Sequence, residues 1–211
     1  LVNGPQLRPS RSLNIESEMP KISLREPIEI ILNGISLDRI LILHSEWLRT
    51  SYKKGAPAVL SNVDLKRADL RGIIIKGAHL YRADLKAANL NNADFTAANL
   101  EKADLSRSSL LGTILVEAIL DSAKLVGADL RNAVLSSADF TRADLRNIKN
   151  IEKAKGLKSA IFTDAKLDEK ERKFLAGINK TVKLMSNGRG KVVSLPTKSP
   201  AKSQPGSIAK P

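Results

Sequence analysis

Between Tyr81 and Leu105 the chain reads YRADLKAANLNNADFTAANLEKADL, and every fifth residue is Leu or Phe: Leu85, Leu90, Phe95, Leu100, Leu105. Ala stands two residues before each of them, and the residue between is Asp or Asn. A period of five fits neither common element. An α-helix turns about 100° per residue, so five residues leave a net advance of ~140° and the leucines scatter around the axis. In a strand an odd period throws every second leucine to the opposite face. The Ala–Leu spacing of two, however, is that of a strand. Each repeat can therefore be one short extended segment with Ala and Leu inward and Asp or Asn outward. The remaining two residues turn a corner, so that the next pair also points inward. The chain winds around a line of leucines, and its coils pair as parallel strands about 4.8 Å apart. Such a solenoid buries its core only by stacking coils.

The central apolar position continues without a gap from Leu60 to Leu145, through Leu65, Leu70, Ile75 and Leu80, the stretch above, and then Leu110 to Leu145. The repeat Ala-(Asp/Asn)-Leu-x-x resembles that of the pentapeptide-repeat family. The resemblance implies an all-β solenoid: a right-handed, quadrilateral parallel β-helix with four repeats, about twenty residues, per coil. Residues twenty apart then stack. One inward column reads Ala58, Ala78, Ala98, Ala118, Ala138, whereas other columns admit Val63, Ser108, Thr113, Ile73 and Ile148.

The flanks are different. Residues 1–20 read as a flexible arm. Residues 21–55 read as a helical cap, with a turn at Asn33-Gly34, a helix N-cap at Ser36, and Leu37, Ile40, Leu41, Leu43, Trp47 and Leu48 at helical spacing. A helix there would cover the open edge of the first coil, with Trp47 as its lid. Many pentapeptide-repeat proteins resemble this segment in carrying His and Trp on a helix before the first coil, the places of His44 and Trp47. Residues 56–147 are the repeat region. Over 148–167 the register breaks: a bulge or short loop around Ile148 to Gly156 precedes a last partial coil with Leu157, Phe162 and Leu167 two residues out of phase. A second capping helix is expected over 168–186, carrying Phe174, Leu175, Ile178 and Val182, and a disordered basic tail over 187–211.

Aromatic residues are 3% of the chain, as a narrow core of Leu and Ala requires. There is no cysteine, hence no disulfide and no thiolate metal site. The lack of cysteine fits a reducing compartment, so the expected location is cytoplasmic. The alternative is an organelle, since the chain begins on Leu1 and its first residues are Arg- and Ser-containing and free of acids, as in the end of a transit peptide. No apolar run is long enough to span a membrane.

No catalytic, cofactor or metal site emerges. His44 and His79 lack metal-ligand spacing, and no phosphate-cradling loop precedes a helix. Asp64, Asp84, Asp104 and Asp144 would form one outward column, interrupted by Lys124. These carboxylates are read as acceptors for corner amides, neutralised by Lys66, Lys86 and Arg146. Aliphatic residues replace polar ones at Ile74, Ile114 and Val134, and Leu111, Val116, Ile119 and Val126 also fall outward or at corners. These seven are the candidate interaction patch.

Three functions follow as expectations. The first is a non-catalytic scaffold for protein–protein interaction, with an unidentified protein partner or self-association through the patch or an end of the rod. The second comes from the resemblance: some pentapeptide-repeat proteins mimic duplex DNA and bind DNA gyrase. That mimicry needs an acidic rod, whereas this chain carries +13. The third is binding of nucleic acid or an anionic surface through the basic tail.

Overall fold

The computed structural model describes residues 24–179. The arm of residues 1–20, the end of the second helix beyond Asn179 and the tail of residues 187–211 lie outside the described residues.

Parallel bridges join residues twenty apart, and 21 or 22 apart at the C-terminal end, along four columns. The first face carries Val59, His79, Asn99, Ile119, Asp139 and Ile161. The second carries Asp64, Asp84, Asp104, Lys124, Asp144 and Lys166. The third carries Asp69, Asn89, Ser109, Asp129 and Lys149, and the fourth Ile74, Asp94, Ile114, Val134 and Lys155. Four columns per coil make a quadrilateral parallel β-helix, as the repeat implied. Each face is one repeat, too short for an extended strand. Both the N–H and the C=O of its polar middle residue bond the coil before, as in Asp84 N to Val63 O at 2.9 Å and Leu65 N to Asp84 O at 2.8 Å, while the residues on either side of it bond the coil after, as in Asp104 N to Ala83 O at 2.9 Å and Leu85 N to Asp104 O at 2.7 Å.

The corners follow from the same five residues. The N–H of each small residue bonds the carbonyl of the preceding central residue, as Ala88 N to Leu85 O at 3.1 Å. The second corner residue takes a positive φ even where it is not glycine, for example Ala87 at 55°, Lys102 at 58° and Glu117 at 57°. Left-handed backbone costs a side chain about 1–2 kcal/mol, and the two ladders that meet at each corner hold it there.

Inside, the central residues from Leu60 to Leu145 and the alanines at the small position two residues before them are buried. The two polar residues in small positions are satisfied: Ser108 Oγ donates to Leu105 O and Thr113 Oγ1 to Leu90 O, both at 2.7 Å. Val63, Ile73 and Ile148, too large for mid-stack, fall in the first and last coils, where the caps leave room.

The N-terminal cap has more parts than a helix. Arg25 pairs beneath the third face, with its N–H on Arg67 O at 2.7 Å and its C=O accepting Asp69 N at 2.8 Å. It extends one wall of the solenoid downward. A 3-10 turn over Pro27–Glu29 follows. Then comes an antiparallel hairpin of β1 (Ile31–Leu32) and β2 (Ile35–Ser36), whose two-residue Asn33-Gly34 loop has positive φ at both positions. The helix α1 spans Leu37–Arg49. Ser36 holds its N-cap position without a side-chain capping bond, and Leu37 N bonds Ile30 O instead. The residues that close the core are Leu37 and His44, both fully buried. Trp47 is not the lid: it is half-buried and packs on Tyr52 at 4.4 Å and His44 at 5.4 Å. The return chain touches the helix at Gly55, φ +77°, where a Cβ would lie 2.2 Å from Leu43 O and 2.7 Å from Trp47 N. Only glycine fits.

At the other end the register break is two one-residue insertions in succession. Asp129 pairs with Lys149, Val134 with Lys155, and Asp139 with Ile161. The first extra residue sits at Asn150, which is left-handed, and the 3-10 turn Ile151–Lys153. The second sits at the turn after Gly156. Leu157, expected at a central position, stands one residue past it. The ladder there falls on Lys155 and Gly156, a position that needs glycine because a Cβ at 156 would meet Ser136 N at 2.5 Å. Phe162 and Leu167 do take central positions, and Phe162 stacks on Phe140 at 5.2 Å. The final helix α2 spans Glu169–Ala176 and buries Leu175. It is shorter than the helical spacing implied. Ile178 lies in the turn that ends it, because the buried Asn179 pulls the chain onto the last coil by donating from Nδ2 to Leu157 O at 2.5 Å and Ala160 O at 2.7 Å.

Candidate interaction surface

The four faces differ in chemistry. The second and third carry only Asp, Asn, Ser and Lys at their bridge positions. On the second face Lys66 lies 3.8 Å from Asp64 and 3.2 Å from Asp84, and Lys86 lies 3.7 Å from Asp84 and 3.2 Å from Asp104. Each aspartate also accepts a corner N–H, Lys66 N on Asp64 at 3.0 Å and Ser106 N on Asp104 at 3.1 Å. This column is an Asx-turn and ion-pair ladder. Its electrostatics agree. Burial works to raise the Asp104 carboxyl, but the hydroxyl and N–H of Ser106 and the Lys86 ammonium outweigh it and hold the group below its ordinary value. Hydrogen bonding by Arg146 does the same for Asp144, and Lys86 is raised in turn by Asp104.

Every branched aliphatic at a bridge position between coils stands instead on the first and fourth faces: Val59, Ile119 and Ile161 on one, Ile74, Ile114 and Val134 on the other. These faces meet at a single edge, turned by Lys76-Gly77, Thr96-Ala97, Val116-Glu117 and Ser136-Ser137. Around that edge the structure brings together Ile114, Val116, Ile119 and Val134, with Val134 directly above Ile114. Leu111 lies at the other margin of the fourth face. Ile74 shares the fourth face but is parted from Ile114 by Asp94, which pairs with Lys76 at 3.1 Å. Val126 does not belong with them: it turns the corner between the second and third faces, diagonally across the rod. Ile119 is 43% exposed and Ile74 55%, while Leu111, Ile114, Val116 and Val134 are half-buried.

The seven do not hold most of the exposed apolar surface. Ile28, Ile31, Ile35 and Ile42 on the N-terminal cap and Val59 below it are all strongly exposed. Sequence reasoning missed Val59 and Ile161. Val59, 60 residues before Ile119, was signalled by the twenty-residue period, whereas Ile161, 42 residues after it, joins the face only through the register shift.

His44 is structural. Its Nδ1 accepts the Ala58 N–H at 3.0 Å, tying α1 to the first coil, while Nε2 is buried near the Lys76 backbone without a sound hydrogen bond. Burial lowers its pKa below the ordinary histidine value, the Lys76 carbonyl acting in the opposite sense. Among the described residues no group of His, Asp or Glu is placed to hold a metal ion, and no helix is long and apolar enough to cross a membrane.

The model of the family described as pentapeptide repeats matches in eight copies, over residues 78–115, 88–125 and 113–149. A solved pentapeptide repeat protein from Nostoc is 31% identical, over 60% of this chain and 93% of its own, with a TM-score of 0.43. One from the Arabidopsis thaliana thylakoid lumen is 27% identical, over 58% of this chain and 77% of its own, with a TM-score of 0.39. QnrB1, a plasmid-mediated fluoroquinolone resistance protein, is 18% identical over 60% and 74%, with a TM-score of 0.33. A search of the curated proteins returns no match.

Proposed function

The chain belongs to the pentapeptide-repeat family, and on that premise we propose that it is a non-catalytic scaffold that docks a protein partner along the edge between its fourth and first faces. The observation that carries this reading is the segregation of aliphatic bridge residues. Two faces keep the polar residues that satisfy corner amides and hold the surface wet. The other two give them up in neighbouring coils, and they adjoin. A break in a local rule that is confined to one side of a regular rod marks a used surface. The backbone ladder makes that surface rigid, so little conformational entropy is lost on docking. DNA mimicry is not favoured: the chain carries +13, and the aspartates of the second face are paired with lysines.

The test is the double substitution Ile114→Asp with Ile119→Asn, which restores the polar residue of the repeat. The melting temperature should hold, while partner capture from the native source, or self-association in sedimentation, weakens by about 2–4 kcal/mol if these residues form a hot spot. Association that persists in a folded double variant removes this edge from consideration.

A further inference from the structure

The C-terminal end of the rod carries a second surface, of different chemistry. The helix α2 and the turn after it lie over the last coil with Leu175 buried beneath. Phe174 and Ile178 are left facing outward, 38% and 37% exposed. Ile161, which ends the first face, is 37% exposed. It belongs to the same tip: Asn179, next to Ile178, is bonded to the carbonyl of Ala160, next to Ile161. The same end carries an excess of lysines over the exposed carboxylates of Glu152, Asp164 and Glu169, the last of which pairs with Lys173 at 2.9 Å. Lys149, Lys155 and Lys166 end the third, fourth and second faces, and Lys153 and Lys158 lie in the turns between; all five are exposed. In the lower coils lysines and arginines are engaged: Lys66, Lys76 and Lys86 with aspartates, Arg142 with Asp121, Arg146 with Asp144. Among the described residues none of the five end lysines has a carboxylate within 4.0 Å.

We infer that this end docks on an anionic membrane surface. Exposed ammonium groups without a close carboxylate, at the end that also exposes an aromatic and two isoleucines, are what an interface of phosphate headgroups over acyl chains accepts: lysines meet the phosphates and the apolar tip enters the boundary. A nucleic-acid backbone would use the lysines but has no place for Phe174, Ile161 and Ile178. The rod would stand on its end, leaving the edge between its fourth and first faces free for a partner. The inference shares Ile161 with the first face but does not require the docking edge.

The experiment uses the whole chain with vesicles of phosphatidylcholine alone or with about one third phosphatidylglycerol. Cosedimentation should occur on the anionic vesicles only. It should weaken at least about ten-fold in Phe174→Ser with Ile178→Ser, and similarly in Lys149→Glu with Lys155→Glu. Phe174→Trp should shift its emission to shorter wavelength on those vesicles, a readout that electrostatic capture by residues 180–211 alone would not move. Equal binding to neutral vesicles, no emission shift, binding unaffected by loss of the two apolar residues, or preferential capture by duplex DNA in competition each overturns the inference. The thermal melt of each variant checks its fold, and the Trp reporter stands in for any variant that melts early.

Discussion

Leu105→Ala tests whether the rod is a packed shaft. Leu105 is fully buried at the centre of the second face, with Leu85 and Leu125 at the same position in the adjoining coils. Removing its outer carbons forfeits about 2 kcal/mol of transfer free energy. A cavity term adds to this, and here the site cannot collapse. The wall around it is backbone pinned to both neighbours, with Leu105 N on Lys124 O at 2.7 Å and Leu85 N on Asp104 O at 2.7 Å. The loss should fall in the upper part of the range for such truncations, about 3–5 kcal/mol, which lowers the melting temperature by roughly 10–15 °C in a domain of this size. The control is Arg107→Asn, two residues on. Arg107 is an exposed corner residue at φ +60°, and asparagine tolerates that conformation, so the change should stay within about 0.5 kcal/mol. Both are read by thermal and urea melts followed by circular dichroism. A loss below about 1 kcal/mol for Leu105→Ala, or equal losses at both positions, would refute the inward assignment.

Gly55→Ala should loosen the N-terminal cap by about 3 kcal/mol or more, since its Cβ would overlap helix backbone that cannot move aside; hydrogen exchange across α1 should rise while the middle coils stay protected. Acidification should act in two stages. His44 is neutral in the fold, with its pKa lowered by burial, so the unfolded chain takes up a proton near pH 6.5 that the fold refuses. Stability therefore falls as pH drops below about 6.5, and a pH titration of Trp47 fluorescence should report release of the cap in wild type but no such step in His44→Gln. Asp69, Asp94, Asp104 and Asp144 are depressed, so their contribution is present above the ordinary carboxyl value, about pH 4, and is lost as pH falls through their folded values; a melting temperature flat from pH 5 to pH 2 would contradict this.

Much of this architecture is legible in one dimension because a solenoid is nearly one-dimensional. A residue's surroundings are set by neighbours two, five and twenty positions away. Ala58, Ala78 and Ala98 stack because the period holds, and Phe95 and Phe140 are central because they stand at multiples of five. The ends are less legible. Trp47 has the bulk of a lid, yet His44 closes the core, because the helix is rolled by the hairpin before it and by Gly55 behind it. Leu157 keeps a spacing of five from Phe162 but leaves the ladder, because an extra residue intrudes at the turn after Gly156.

The candidate surface divides in the same way. That Ile74, Ile114, Ile119 and Val134 break the repeat is plain from the residues alone. So is the identity of the inward positions, because alternation along each short segment is a property of the backbone. Which of these exceptions are neighbours depends on how many residues close a coil and on which way each corner turns. Those are decided by ladder hydrogen bonds between residues twenty apart. Tertiary structure therefore gathers Ile114, Val116, Ile119 and Val134 on one edge and sends Val126 to the opposite corner, though it lies only seven residues from Ile119. It also places Arg25 under the third face and sets Phe174, Ile178 and Ile161 at the lysine-rich tip. At the two ends the contact joins segments with no shared period, so only the folded chain can bring them together.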